Sequence, residues 1–209
     1  MNINKEIVNY IQENVFPSYE KNDAGHGIDH IKYVINRSLK FAKNIEDINY
    51  DMIYVIAAYH DIGHYIDAKN HEIVSAQILL KDKWLENYFT KDEINIMAEA
   101  IEDHRASLEY EPRSIYGKII SSADRNTSLE LPLKRTYTYR LKHSPNSTLD
   151  EIIEESRLHL IDKFGDEGYA NEKMYFEDKE YDNFLKEIRK LCSDKELFRK
   201  KYIEINEIK

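Results

Sequence analysis

The residues best suited to chemistry are histidines and aspartates, and two of them are adjacent in the stretch YVIAAYHDIGH (54–64). His60 and Asp61 end an apolar helical run in this stretch. An imidazole and a carboxylate at the end of a buried helix are unfavourable unless a partner holds both, and a divalent metal is the usual partner. Further candidate ligands lie on both sides of the stretch: His26 and His30 before it, and His71, His104 and Asp124 after it.

The candidate ligands define the kind of metal that we expect. Imidazole nitrogens and carboxylate oxygens without thiolates suit Mn, Fe, Co, Ni or Zn, whereas a structural zinc site normally uses cysteines. The chain has one cysteine, Cys192, which excludes an internal disulfide and fits a reducing compartment. We therefore predict a divalent transition metal ion as cofactor and a cytoplasmic location.

A central helix must position the His-Asp pair. The run from 51 to 61 is apolar almost all round, which predicts the most buried helix, and Gly63 lets the chain turn sharply after it. Thr90 and Glu93 form a capping-box pattern for a helix to about Ser107 that carries His104 on its apolar stripe. Further helices are predicted over 3–15, 30–41, 72–84, 149–164 and 178–206, the last interrupted near Ser193.

Loop residues mark the predicted helix ends. In the turn-rich loop 21–29, Asp29 is predicted as the N-cap of the helix whose first turn carries His30. Pro17 is expected to end the first helix, Pro112 to lie in a first turn, and Pro132 to prevent a continuous helix over 126–140. With no convincing strand, the predicted fold class is all-α, a compact bundle of roughly seven to nine helices.

Composition limits the domain organisation and the partners. The 209 residues are 42% hydrophobic and 33% charged, which indicates a globular, soluble chain. Apolar runs such as 52–59 are too short to span a bilayer, so no membrane partner is expected. The formal net charge of -9 disfavours binding to duplex nucleic acid. The best break, 143–148, predicts a metal-binding helical core over 1–142 and a helical extension over 143–209 packed on it, or one single domain.

Three local sequences together resemble the HD-domain superfamily of metal-dependent phosphohydrolases. They are HGIDHIKYV (26–34), AAYHDIGH (57–64) and SSADR (121–125), and the resemblance extends over residues 20–130. It implies an all-helical core in which four residues bind one divalent metal: His30, His60, Asp61 and Asp124. A subset of the superfamily holds two metals, and His71 and His104 lie where its two additional histidines are expected. The alternative is that one or both face the substrate phosphate.

The resemblance also implies an activity and roles for individual residues. It implies hydrolysis of a phosphate ester or anhydride of a small molecule, most simply a nucleotide, by a metal-activated water. Asp61 would bridge two metals or orient the water, and His64 would donate a proton to the leaving oxygen or support Asp61. Cationic side chains are expected to bind the rest of the substrate: Arg105, Arg125, Lys134, Arg135 and Arg140.

Two other functions remain open from the sequence. The same six ligands would serve a mixed-valent di-iron oxygenase, and a non-catalytic sensor could retain the metal or nucleotide site. The chain lacks the Gly-Tyr-Pro segment of the cyclic-di-nucleotide phosphodiesterases and resembles small stand-alone bacterial members of the superfamily. The substrate and the metal are not determined by the sequence, and a homodimer through the tyrosine-rich C-terminal region is one open assembly.

Overall fold

Helices form the regular structure throughout the described chain. The computed structural model describes residues 2–22, 25–171 and 174–208, and no strand occurs within these ranges, so the all-α prediction is confirmed. The α-helices in these ranges are α1 (Lys5–Tyr10), α2 (Ile28–Ala42), α3 (Tyr50–Tyr59), α4 (His71–Lys81), α5 (Lys91–Glu102), α6 (Ile115–Ala123), α7 (Glu130–His143), α8 (Leu149–Phe164), α9 (Lys179–Ser193) and α10 (Lys195–Ile205).

The chain forms two compact units. The first comprises residues 1–124 together with 174–176, and the second comprises 125–173 and 177–209. The boundary thus falls after Asp124 and not at the loop 143–148, which only joins α7 to α8. Both of these helices belong to the second unit, because α7 packs on α8 and on α10.

α3 is the central helix of the first unit, as its composition predicts. Every residue over 52–59 is buried, and the helix packs against α2, α5 and α6. Its N-terminus is fixed by Asn49, whose side chain accepts hydrogen bonds from the backbone N–H groups of Asp51 and Met52. An apolar helix with neighbours on all sides can bury its whole circumference, which places its C-terminal residues in the interior.

Several helix ends differ from the sequence-based expectations. The N-cap of α2 is Gly27, and Asp29 lies within the first turn, where a carboxylate favours the positive end of the helix dipole. Pro17 does not end the helical path, because it lies in the first turn of a 3-10 segment, Phe16–Lys21, where its missing N–H is not needed. Pro112 precedes the first turn of α6, which Ser114 caps. Asp23 and Ala24 of the predicted loop 21–29 lie outside the described residues.

Other ends are as predicted or nearly so. Thr90 and Glu93 form a reciprocal capping box at α5, although this helix ends at Glu102 and leaves His104 in the following turn. In the second unit α8 has the predicted bounds, and α9 and α10 are separated at Asp194, whose side chain caps α10. α7 begins only two residues before Pro132, so no continuous helix spans 126–140. None of the helices described is both long and apolar enough to cross a membrane.

Candidate metal centre

The His-Asp pair lies where α3 stops. The helix ends at Tyr59, and the chain then follows turns from His60 to Ile66. Adjacent side chains on a regular helix diverge by about 100°, and ending the helix here lets His60 and Asp61 face a common centre. Both are almost fully buried, with exposures of 0% and 2%.

One carboxylate oxygen of Asp61 faces a first group of ligands. Asp61 Oδ2 is 3.5 Å from His30 Nε2 and 3.4 Å from His60 Nε2. Asp124 Oδ1 lies 3.1 Å from His30 Nε2 and 3.8 Å from His60 Nε2. The structure therefore brings together four residues from three separate segments of the sequence. Within this group, the donor atoms of His30, His60 and Asp124 all lie within 4.8 Å of one another.

The other oxygen of Asp61 faces a second group. Asp61 Oδ1 is 3.3 Å from His71 Nε2 and 3.6 Å from His104 Nε2. The donor atoms of these three residues also lie within 4.8 Å of one another. Asp61 thus stands between two ligand groups and turns one oxygen toward each.

Backbone carbonyls fix the orientation of three of the imidazole rings. Nδ1 of His60 lies 2.9 Å from Ala57 O, and Nδ1 of His71 lies 3.0 Å from Ala68 O. His104 Nδ1 is 2.6 Å from Ile101 O. A carbonyl oxygen only accepts hydrogen bonds, so each Nδ1 carries a proton and Nε2 is the ring nitrogen that faces Asp61.

The Nε2 atoms of the site are placed to bind a cation. Those of His71 and His104 are 3.1 Å apart, close enough for both to coordinate one ion. Nε2 of His30, Nε2 of His60 and Oδ1 of Asp61 are buried and have no hydrogen-bond partner within the described chain. Since buried polar groups are normally satisfied, the residues present suit one or two divalent ions with nitrogen and oxygen ligands.

The protonation equilibria of the site reflect its concentration of charge. Burial lowers the pKa of His30, but the carboxylates of Asp124 and Asp61 outweigh it and raise that pKa to about 9. Burial alone would raise the pKa values of Asp61 and Asp124, yet the neighbouring imidazoles hold both well below the usual range. Burial lowers the pKa of His104 to about 3, so this ring is neutral. Both carboxylates are therefore ionised.

Two further histidines lie beside the second group. The rings of His26 and His64 stack with centroids 3.7 Å apart, and His64 lies 5.3 Å from the ring of His71. His26 is also 6.0 Å from the ring of His30. The structure thus places the predicted proton donor, His64, next to the ligand groups and pairs it with His26.

Arg37 holds two helices of the candidate site together, and it was not predicted from the sequence. Its guanidinium is buried and donates from Nε to Ala123 O at 3.0 Å and from Nη2 to Ser122 O at 3.3 Å. These carbonyls end α6 immediately before Asp124. Arg37 lies two turns after His30 on α2, so it links the helix of His30 to Ala123, the residue before Asp124. The seven-residue spacing from His30 places Arg37 on the same face of the helix, and this spacing is the signal in the sequence that indicates its position.

Most of the predicted substrate-binding cations are paired with acidic side chains. Arg105 is 3.1 Å from Glu72, while Lys134 and Arg140 are 2.5 Å and 2.8 Å from glutamates in the second unit. Arg125 is buried, and Arg135 lines a small cavity of about 70 Å³ in the second unit together with His159 and Lys163. Binding of substrate by these five residues stays a prediction.

A family model and a solved structure are similar to this chain. The family model for the HD domain matches residues 27–128, a range that contains all six ligands of the two groups. The crystal structure of a predicted HD superfamily hydrolase from an uncultured Thermotogales bacterium is similar, with 22% identity and a TM-score of 0.48 over 76% of this chain and 87% of that chain. No curated protein matches the chain. Residues 27–128 thus match the HD domain, the family that the sequence resemblance predicts.

Proposed function

We propose that this protein is a metal-dependent phosphohydrolase that cleaves a phosphate ester or anhydride, with nucleotides as the substrate class. The observation that carries the proposal is the position of Asp61 between two imidazole groups, with one oxygen toward each. His30, His60 and Asp124 would hold one divalent ion, and Asp61, His71 and His104 would hold a second. Such pairs favour in-line displacement at phosphorus.

The residues of the chain then have distinct tasks. A bound divalent ion would lower the pKa of water and offset the negative charge on phosphoryl oxygens. Asp61 orients the attacking water through its ionised carboxylate. His64 lies beside the ligand groups and is only half-buried, so it can take a proton from solvent and pass it to the leaving oxygen.

The proposal is tested by removing and restoring the metal. The full chain is stripped with a chelator and reloaded separately with Mn²⁺, Fe²⁺, Co²⁺, Ni²⁺ or Zn²⁺, and phosphate release is measured on an aryl phosphate and a nucleotide panel. We expect no hydrolysis by the stripped protein and restored hydrolysis with at least one ion. His60→Ala and Asp61→Ala should lose metal content and hydrolysis together, because each removes a ligand from the buried centre.

His143→Ala provides the matched histidine control, because its ring is exposed and stacks on Tyr139 in the second unit. It should keep both metal content and hydrolysis. Inactivity of the fully loaded chain on every phosphate substrate would contradict the proposal. Full metal occupancy in both site variants would show that the ion binds elsewhere.

The six-ligand arrangement also supports a second candidate, a mixed-valent di-iron oxygenase. Two groups with Asp61 between them suit two iron ions as well as two ions for hydrolysis. The two candidates differ in a direct measurement: the iron-loaded oxygenase consumes oxygen and releases no phosphate from the panel. Oxygen uptake without hydrolysis would replace the first proposal with the second.

A further inference from the structure

Arg105 contacts the polypeptide on both sides of His71, although it follows His104 in the sequence. Its guanidinium Nη1 donates to Lys69 O at 2.6 Å and to the Glu72 carboxylate at 3.1 and 3.2 Å. The contact joins positions separated by more than 30 residues along the chain. One side chain thus connects the two segments whose histidines form the second ligand group.

The segment before His71 has little regular structure of its own. Residues 67–70 form a turn in which Asp67 accepts hydrogen bonds from the backbone N–H groups of Lys69 and Asn70. The carbonyl of Ala68 in this turn accepts the Nδ1 proton of His71. Because Arg105 holds the next carbonyl, Lys69 O, it restrains the turn that sets the ring orientation of His71.

Glu72 adds an electrostatic reason for the contact. Its Oε2 lies 3.7 Å from His71 Nδ1, so this carboxylate is an alternative acceptor for the proton now donated to Ala68 O. Arg105 pairs with the same carboxylate and balances its charge. Without the guanidinium, Glu72 would compete for Nδ1 and rotate the His71 ring away from His104.

The turn that carries His104 is anchored independently on its other side. Asp103 is completely buried, and its carboxylate accepts hydrogen bonds from the backbone and guanidinium of Arg113 and from the hydroxyl of Tyr110. The turn of His104 is therefore held in place by Asp103. Arg105, the next residue of this turn, connects it to the less regular segment before His71.

We propose that Arg105 is a positioning residue that aligns His71 with His104, so that binding of the second metal ion depends on it. Its side chain serves the ligand segments instead of holding substrate phosphate. The inference rests on the proposed metal-dependent function. It concerns one half of the site, since Arg105 contacts Lys69 and Glu72 beside His71 and not His30, His60 or Asp124.

The experiment measures metal binding rather than turnover. Stripped wild-type chain and Arg105→Ala are titrated with Mn²⁺ by calorimetry, and bound metal is counted after gel filtration. We expect two ions in the wild type. In the variant we expect one ion of unchanged affinity and a second bound 10–100-fold more weakly, about the usual effect of losing a residue that orients a ligand.

Arg189→Ala is the matched control. Arg189 has the same 34% side-chain exposure as Arg105, and it also combines a carboxylate, Asp166, with a backbone carbonyl, Phe164 O. It lies in the second unit, so both ions should bind normally. If Arg105→Ala fails to fold, Arg105→Gln is titrated instead, because an amide keeps a donor for Lys69 O and loses only the ion pair.

The double variant separates positioning from a general structural role. Arg105→Ala/Glu72→Ala should recover part of the second-ion affinity, because the competing carboxylate is then gone. Equal second-ion affinity in wild type and Arg105→Ala overturns the inference, as does a single ion in the wild type. Two ions in the wild type with no hydrolysis of any substrate would count against the proposed function and leave the inference on Arg105 standing.

Discussion

His64 is four residues after His60, yet it belongs to a different part of the site. Its ring stacks on His26 and lies beside the second ligand group, and it belongs to neither ligand group. Removing a proton donor lowers the rate of hydrolysis, whereas removing a metal ligand also lowers the metal content. A substitution of His64 can therefore distinguish these two roles.

We predict that His64→Gln lowers kcat by about 10²-fold or more, because it removes proton transfer to the leaving oxygen. Bound metal should be unchanged, since the ligand groups do not include this ring. The measurement pairs steady-state kinetics with metal analysis, and His143→Gln serves as the control. A parallel loss of metal would identify His64 as a ligand, and unchanged kcat would remove it from the mechanism.

Cys192 is expected to react slowly with thiol reagents. Burial raises the pKa of its thiol to about 11 against the opposing effect of nearby Arg157, and a raised pKa means little thiolate at pH 8. We predict slow reaction of the folded chain with a disulfide reagent and rapid reaction of one thiol in denaturant. The folded rate should continue to rise from pH 8 to 10, whereas a plateau near pH 9 would contradict the prediction.

At the residue scale, residue type and order were sufficient to predict which side chains meet at the candidate centre, and insufficient to predict the residues that support them. His30, His60, Asp61 and Asp124 could be predicted because their combination is rare and each lies in a recognisable helical context. The partner of Arg105 could not, because an arginine pairs with any nearby carboxylate and only the fold brings Glu72 within reach. Arg105 was consequently expected to bind substrate.

At the scale of elements, Gly63 brings the turn after α3 against α4. A Cβ atom at this position would lie 2.8 Å from Ser75 N and from the side chain of Val74. The backbone N–H of Gly63 donates to Ser75 Oγ at 2.9 Å. The turn that carries Asp61 and the helix that begins with His71 are thus in backbone contact.

We predict that Gly63→Ala destabilises the chain by about 1–3 kcal/mol, the usual range for inserting an atom into a packed interior. It should also weaken second-ion binding, because α4 must move and takes His71 with it. Gly117→Ala is the comparison: its Cβ would meet Pro112 at 3.0 Å, and alanine favours the helix, so a smaller loss is expected. Chemical denaturation and metal titration measure both effects, and equal losses would contradict the packing argument.

Element types were more predictable than element ends. Apolar periodicity identified α3 and the bounds of α8, because burial and capping residues act within a few positions of each other. The stop of α5 at Glu102 was missed, since the residues after it continue a helical pattern. The interaction that ends it involves Arg113, which donates to Glu99 O and to the Asp103 carboxylate.

At the scale of the molecule, the chain returns to its first unit after leaving it. Residues 174–176 belong with 1–124. Tyr175 N donates to Ser122 Oγ at 3.1 Å, and the ring of Phe176 stacks on Phe41 with centroids 5.3 Å apart. The first unit is therefore completed by residues that follow the predicted core in the sequence.

We predict that Phe176→Ala lowers the free energy of unfolding by about 1–2 kcal/mol, from loss of an aromatic pair and of half-buried apolar area. Tyr139→Ala is the control, because its ring is exposed and lies on a surface helix of the second unit; its effect should stay within about 0.5 kcal/mol. Denaturant unfolding measures both variants. An equally small change in Phe176→Ala would show that residues 174–176 add nothing to the first unit.

The boundary between the units was not predictable from composition. The stretch 143–148 has the residues of a linker, but such residues also form a tight loop between two packed helices. The division follows Asp124, in the stretch SSADRNTS (121–128), which contains no glycine or proline. Only the packing of α7 on α8 and α10 reveals it.

The imidazoles of His60, His71 and His104 each take their direction from the carbonyl three residues earlier in the chain. A hydrogen bond to the local backbone thus fixes the orientation of each ring without a bound cation. We expect the chain to stay folded when metal is bound and when a chelator removes it. Zinc fingers differ, because their folding requires their ion. A preformed cage also penalises ions of unsuitable radius, so metal preference would be decided by fixed geometry and by cellular supply.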